Sequence, residues 1–436
     1  MQQLEKPKQG YKFVKSLFGK IEEIPEDWKI EQLGKFVKIF SGDYFPYDDF
    51  IEDGVRVLKI DNVMYGNIDW KNKTFLPKSY LQNDKFIVLQ KDDIVLALNR
   101  PVTNNRVKVA KLTVTDIPSI LYQRVGKFQF HEYKINRDFF YSYLSSIFFQ
   151  KLISKILIGS DQPYVKTTEL LKQKFTLPSD EKEQQKIASI LSNVDSLIQQ
   201  TQQEIEQTQR LKKGFMQRLL TKGIGHTRFK ETKVGEIPEE WSIFKANEIC
   251  NEIVVGIVIK PASLYSKDGV PCLRSFNIKE EKIYDKDIVK ISHKANEINS
   301  KSKLQEGDVL IVRTGYPGTA CVVPQEYVGG NCIDLVIARP KESLRSKFLS
   351  IFINSSVGKD QVLKTQGGLA QQHFNVSEMK NMLIPLPSLQ EQDKITSILS
   401  NVDSQIQKHQ EYKSKLENLK KGLMQKLLTG QIRVKV

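Results

Sequence analysis

The side chains best suited to chemistry in this 436-residue chain are hydrogen-bonding groups on polar loops. LNRPVTNNR supplies Asn99, Arg100, Asn104, Asn105 and Arg106, with Gln123 and Arg124 nearby. GSDQPYV adds Gln162 and Tyr164. In the second half RTGYPGTA carries Arg313, Thr314 and Tyr316, joined by Arg274 and by Gln371, Gln372 and His373 of GLAQQHF. Arginine pairs with the guanine edge, and asparagine or glutamine with the adenine edge, so this mixture is the chemistry of base reading. Lys71, Lys73 and Lys108 suit phosphate contacts, which position a protein on nucleic acid without specifying sequence. At each position a solvated loop residue is the alternative.

Other chemistries lack their motifs. There is no GxxxxGK[ST] loop, no GxGxxG opening a helix, no Asn/Asp-Pro-Pro-aromatic tetrapeptide, no GxSxG and no HExxH. Gly315 and Gly318 are a turn-like pair, and Asp92-Asp93 and Glu280-Glu281 read as charged turns. Cys250, Cys272, Cys321 and Cys332 form no CxxC pair, so buried free thiols are expected and a metal site is not. The expectation is a chain with no catalytic residue and no cofactor of its own. Lysine plus arginine total 66 against 51 acidic residues, a net +15 that suits a polyanion partner. MQQLEKPKQG has no apolar signal core and no apolar run reaches transmembrane length, which predicts a cytoplasmic protein without membrane contact.

The loops must be positioned by something, and the chain writes its largest element twice. EQQKIASILSNVDS (183–196) returns as EQDKITSILSNVDS (391–404), with 12 of 14 residues identical. LKKGFMQRLLT (211–221) returns as LKKGLMQKLLT (419–429), 9 of 11, at the same offset of 208 residues. Each copy predicts a helical rod of roughly 60 Å. The seam expected on the first rod is Ile187, Ile190, Val194, Leu197, Leu211 and Phe215, widened by Leu191, Ile198 and Ile205. On the second it is Ile395, Ile398, Val402, Leu416, Leu419 and Leu423, with Tyr412 in line. Such stripes face a partner helix. Thr201, Glu204, Thr208, Gln405 and His409 leave the middle polar, and Gly214 and Gly422 recur at matching places.

The rest of the chain repeats more faintly. EEIPEDW (22–28) is echoed by GEIPEEW (235–241), DGVRVLKIDNV (53–63) by DGVPCLRSFNI (268–278), and LQKDDIVLAL (89–98) by LQEGDVLIVR (304–313). Phe139, Phe140, Tyr143 and Leu144 match Phe348, Leu349, Phe352 and Ile353. The order is therefore module, rod, module, rod: an arm over 1–21, a module over 22–178, a helix over 179–222, a linker over 223–234, a module over 235–387, a helix over 388–430 and a tail over 431–436. The chain opens with QGYKFVKSLFGKIEEIPEDW, a piece similar to the one that follows the first rod. That makes the repeat circular and pseudo-two-fold, and it predicts antiparallel rods. A shared scaffold with divergent loops is what two recognition modules with different targets require.

EIPEDW and GEIPEEW, GSDQPYV and the twice-written LPS…EQ(Q/D)KI(A/T)SILSNVD…LKKG(F/L)MQ(R/K)LLT resemble the specificity subunit of type I restriction–modification systems. The resemblance implies an α+β fold in which two mixed α/β target-recognition domains are separated by two long helices paired as an antiparallel coiled coil. It implies that each domain reads one half of a bipartite double-stranded DNA target. The helices would set the spacer and dock two methyltransferase (M) subunits. Adenine methylation, and cleavage with restriction (R) subunits, would then belong to the partners, together with S-adenosylmethionine, ATP and Mg. A DNA-binding coiled-coil scaffold without an active restriction partner is the alternative.

Overall fold

Two short apolar runs, Ile94–Ala97 and Val309–Val312, anchor the sheets, and every residue in both is buried. In the first, Ile94 and Leu96 face one core while Val95 and Ala97 face another. Val309 and Ile311 are divided from Leu310 and Val312 in the same way. A continuous apolar run, rather than an alternating one, is what a strand covered on both faces needs. In this computed structural model residues 6–15, 21–132, 135–259, 261–364 and 373–435 are described. They fall into two compact units, Met1–Thr201 with Tyr412–Val436, and Gln202–Glu411. Each unit therefore holds one module, half of the first long helix and half of the second.

The two modules share a scaffold. In the first unit an antiparallel sheet runs in the order Val109–Lys111, Ile94–Ala97, Val125–Phe130, Val37–Ser41. In the second the order is Ala320–Val322, Val309–Val312, Leu335–Pro340, Cys250–Val255. Beside each sheet lies one parallel pairing, Leu58 with Leu121 and Leu273 with Cys332. A glycine marks where the two sheets meet. A Cβ at Gly42 would strike the Leu121 carbonyl, and one at Gly256 the Cys332 carbonyl and thiol. Buried Asn62 and Asn277 each staple the loop that follows. Asn62 accepts from Lys59 N and donates to the Asp69 and Asn72 carbonyls; Asn277 accepts from Arg274 N and donates to the Tyr284 and Lys286 carbonyls. The matched aromatic segments are the helices Arg137–Leu144 and Ser346–Asn354, with the expected residues buried.

The long helices are Glu181–Lys222 and Leu389–Leu427, about 63 Å and 58 Å at 1.5 Å per residue. They pair antiparallel within each unit. In the first, Asp195 meets Lys420 and Glu183 meets Arg433 just past the end of the second helix; in the second, Glu204 meets His409 and Lys212 meets Asp403. As one number rises the other falls, as the circular repeat predicted.

The seam itself is shifted from the expected one. Ile187, Val194, Ile395, Val402 and Leu416 are buried, and Ile190, Phe215, Ile398 and Leu423 are half-buried. Leu197, Leu211 and Leu419 are not seam residues: they are 41%, 51% and 51% exposed, and Tyr412 is exposed as well. The inward line on the first helix runs Ile187, Leu191, Val194, Ile198, Thr201, Ile205, Thr208, Lys212. Thr201 and Thr208 can lie on it because their hydroxyls donate to the Leu197 and Glu204 carbonyls, each at 2.7 Å. Lys212 and Lys420 lay their stems inward and keep their ammonium groups on Asp403 and Asp195.

The recurring Glu-Gln pair closes each unit. Glu183, 1% exposed, accepts from Trp28 Nε1 and from Arg433 Nε and NH2 at 3.3, 2.6 and 2.8 Å, while Arg433 also forks onto Asp27. Glu391 accepts from Trp241 Nε1 at 3.0 Å and from Ile224 N at 2.8 Å. His226 stands in the place of Arg433, with its ring nitrogens facing Glu391 and Glu240. Gln184 and Gln392 bind the backbone at Asn136 and Arg345, just ahead of the aromatic helices. Gly223 and Gly430 end the helices at φ 61 and 72, a left-handed turn that glycine adopts without strain. Strand pairs follow the same plan: Tyr11–Lys15 pairs with Ile21–Pro25, and Phe229–Lys230 with Ile237–Pro238. Part of the expected arm and linker is thus ordered strand.

Candidate nucleic-acid interface

In the first unit Ala97 lies opposite Val125 and Gly126 opposite Ser41. The segments after Ala97, before Val125 and after Ser41 therefore leave the sheet at one edge. GSDQPYV is stitched to that edge by the bridge between Asn99 and Tyr164, by Arg100 N donating to the Pro163 carbonyl at 2.6 Å, and by Val165 N donating to that of Leu98 at 2.9 Å. Asn99, Arg100, Asn104, Asn105, Arg106, Gln123, Arg124, Gln162 and Tyr164 thus share one end of the module. Asn99 and Gln123 are half-buried and the others exposed.

The backbone there is unusual. Asn104 and Asn105, at φ 51 and 56, form the two-residue turn of a hairpin between Val102–Thr103 and Arg106–Val107. Arg100 and Arg124 also take positive φ, 46 and 67. A left-handed residue with a Cβ costs roughly 1–2 kcal/mol. At the place of Arg100 the other module has Gly315, at φ 87. Lys108 does not fit the phosphate role: its ammonium turns inward to the Ile60 carbonyl at 2.7 Å, and burial pushes its pKa down. Lys71 and Lys73 are exposed.

The equivalent edge of the second unit is built differently. Arg313 donates to Asp334 Oδ1 at 2.5 Å and to Asn375 Oδ1 at 2.8 Å, and Thr314 donates to Asp334 Oδ2 at 3.1 Å. Its carbonyl accepts from Phe374 N, next to exposed His373. The Arg313 guanidinium is therefore a clamp between loops, whereas Tyr316 is 82% exposed. Asp334, at φ 52, occupies the place of Arg124 just before the central strand, so the two modules present opposite charge at one scaffold position. Arg274 donates to the Asp287 carbonyl at 2.6 Å and lines an open cleft of about 400 Å³ with Phe276, Ile333 and Asp334. Gln371 and Gln372 lie outside the described residues.

Some exposed side chains at these edges carried no signal in the sequence. Tyr44 (64%) and Tyr47 (87%) follow Asp43, which bridges to Tyr122; Val258 (49%) and Ile259 (78%) follow Ile257, which bridges to Ile333. Val258 and Ile259 offer no hydrogen-bonding side chain, and Tyr44 and Tyr47 lie in none of the repeated segments. Among the described residues no cluster of histidine, cysteine or acidic side chains could hold a metal ion, and no helix is long and apolar enough to cross a membrane. Glu281 is pinned by Ser350, Asn354 and Lys347, and Glu280 by Lys359, which makes that acidic pair structural.

Residues 25–207 and 238–418 match a family described as the type I restriction modification DNA specificity domain. The chain belongs to that specificity family. Among its relatives, the type I restriction enzyme MjaVIII specificity subunit of Methanocaldococcus jannaschii is 47% identical over 203 residues, 47% of this chain and 48% of that protein. The putative MjaX specificity subunit of the same organism is 28% identical across 95% of this chain and 96% of its own. The EcoBI specificity subunit of Escherichia coli is 24% identical across 94% and 87%. Two solved structures share the specificity fold. One, from work on assembly and conformational transition of the type I R-M system, has a TM-score of 0.59 at 17% identity and covers 94% of this chain and 99% of that one. The other, the S subunit from M. genitalium, gives 0.53 at 14% identity over 92% and 96%. Each matched span takes in one module and part of the long helix that follows it, so the loop edges that differ between the modules are where two domains of one specificity family diverge.

Proposed function

We propose that this chain is the sequence-specific DNA-binding specificity subunit of a type I restriction–modification complex, in which each unit reads one half of a bipartite target. What carries the reading is one scaffold present twice with different chemistry at the same sheet edge: an arginine- and asparagine-rich hairpin in one unit, an acid-clamped turn in the other. Arg100, Asn104, Asn105, Arg106 and Arg124 are the base-reading candidates in the first unit; Thr314, Tyr316 and His373 are those of the second. The chain is non-catalytic, and its partners carry out adenine methylation and remote cleavage. M subunits dock on the paired helices. The LKKG segments support that role: Leu211 and Leu419 are exposed, and a Cβ at Gly214 or Gly422 would meet nothing within 4 Å among the described residues. Among those residues no other backbone packs against either glycine, which leaves an open face for a partner present twice.

The helices act as the spacer. Four residues inserted at the paired level of both helices would lengthen each by about 6 Å, nearly two base pairs. The gap between half-sites should then widen while both half-sites stay the same. Altered half-sites with an unchanged gap would contradict the spacer role.

A further inference from the structure

We propose that Tyr65 is the positioning residue of a DNA-reading hairpin in the first unit, holding Asn104 and Arg106 ready for base edges; this rests on the DNA-specificity reading above. The hairpin Val102–Val107 projects from the end of the sheet, and its turn, Asn104 and Asn105, is exposed. So short a hairpin has little stability alone. Its base is packed, since Val107 is buried in the module core, but nothing in that packing fixes the polar side chains.

Tyr65 supplies the missing constraint with both parts of its side chain. Its hydroxyl lies 2.6 Å from Thr103 Oγ1 and accepts from Asn104 Nδ2 at 3.4 Å. Its ring carries the Arg106 guanidinium, whose carbon is 4.7 Å from the centroid, and its carbonyl accepts from Arg106 NH2 at 3.4 Å. Stacking on an aromatic face leaves the in-plane N–H groups of a guanidinium free for a bidentate partner. Tyr65 is itself held. Its loop is stapled by buried Asn62, closed by the bridge between Val63 and Ile68, and tied to the sheet by Gly66 N donating to the Val109 carbonyl at 2.9 Å. The constraint thus passes from the sheet through Asn62 and Tyr65 to the reading side chains. In the second unit the echo DGVPCLRSFNI, continued by two residues, places Glu280 at this position, paired with Lys359, and among the described residues no hairpin forms between Val312 and Ala320. Tyr65 therefore serves one half-site only.

The ring and hydroxyl roles separate in Tyr65→Phe and Tyr65→Ala. Each variant is expressed as the full chain with its methyltransferase partner, and the adenine-methylation motif is mapped. Tyr65→Phe keeps the stack on Arg106 and frees Asn104, so discrimination should fall about tenfold at one base position of one half-site. Tyr65→Ala should relax a neighbouring position as well. The other half-site and the gap should be unchanged in both. A motif unchanged in both variants, or methylation lowered equally at every site, would overturn the positioning role. If the wild-type chain directs no bipartite motif at all, the specificity reading fails first, and that result is seen before any variant is made.

Discussion

Glu183 gives the sharpest stability prediction, because one buried carboxylate serves three donors. In Glu183→Ala the buried Trp28 Nε1 loses its acceptor, a cost of about 1–3 kcal/mol for an unsatisfied buried donor. Arg433 loses one carboxylate but keeps Asp27, and with its side chain 40% exposed it can turn to water. The cost of breaking a fully buried pair, about 3–5 kcal/mol, is therefore an upper bound. A net loss of about 2–3 kcal/mol follows, which is roughly 30- to 150-fold in the opening equilibrium. Hydrogen exchange should show the loss in the paired strands Tyr11–Lys15 and Ile21–Pro25 and in the helix end around Leu427. The counterpart around Trp241 and Glu391 in the second unit should keep its protection. Glu183→Gln retains an acceptor and should lose less. Unchanged exchange in the first unit, or an equal loss in both units, would refute the clasp.

Other consequences can be measured separately. Arg100→Gly relieves left-handed strain of roughly 1–2 kcal/mol while adding unfolded-state freedom of comparable size; thermal stability should stay within about 1 kcal/mol while selectivity at one half-site falls. Arg313→Ala should release the loops its guanidinium joins through Asp334 and Asn375, and limited proteolysis near residue 373 should quicken. Burial pushes the thiols of Cys250, Cys272 and Cys321 up to about 12, and Cys332 well above its ordinary value; a thiol reagent at pH 8 should therefore label the folded chain slowly and the unfolded chain at once, as inert buried cysteines require.

The large-scale order was legible because the repeated residues do repeated work. Trp28 and Trp241 donate to Glu183 and Glu391, and Gln184 and Gln392 hold the backbone ahead of the aromatic helices in both units, so their identity in the sequence marks the closures and the circular order. The seam departs from the expected one at Leu197, Leu211 and Leu419 because the sequence offers two overlapping three-four patterns. The richer in leucine looked better, whereas the actual one passes through threonines that satisfy themselves and lysines that reach out to aspartate. At the first edge the residue types alone marked the candidates that the sheet brings to one end. In the second, Arg313 looked free, because the Asp334 that holds it lies 21 positions away and is brought there only by the strand pairing. Tyr65 was invisible for the same reason.

The central claim is tested most directly by mapping adenine methylation in cells that express this chain with its methyltransferase partner, against cells with the partner alone. The account predicts a two-part motif with a fixed gap that appears only when the chain is present. Methylation that is the same with and without the chain, from a stable and active partner, would contradict it.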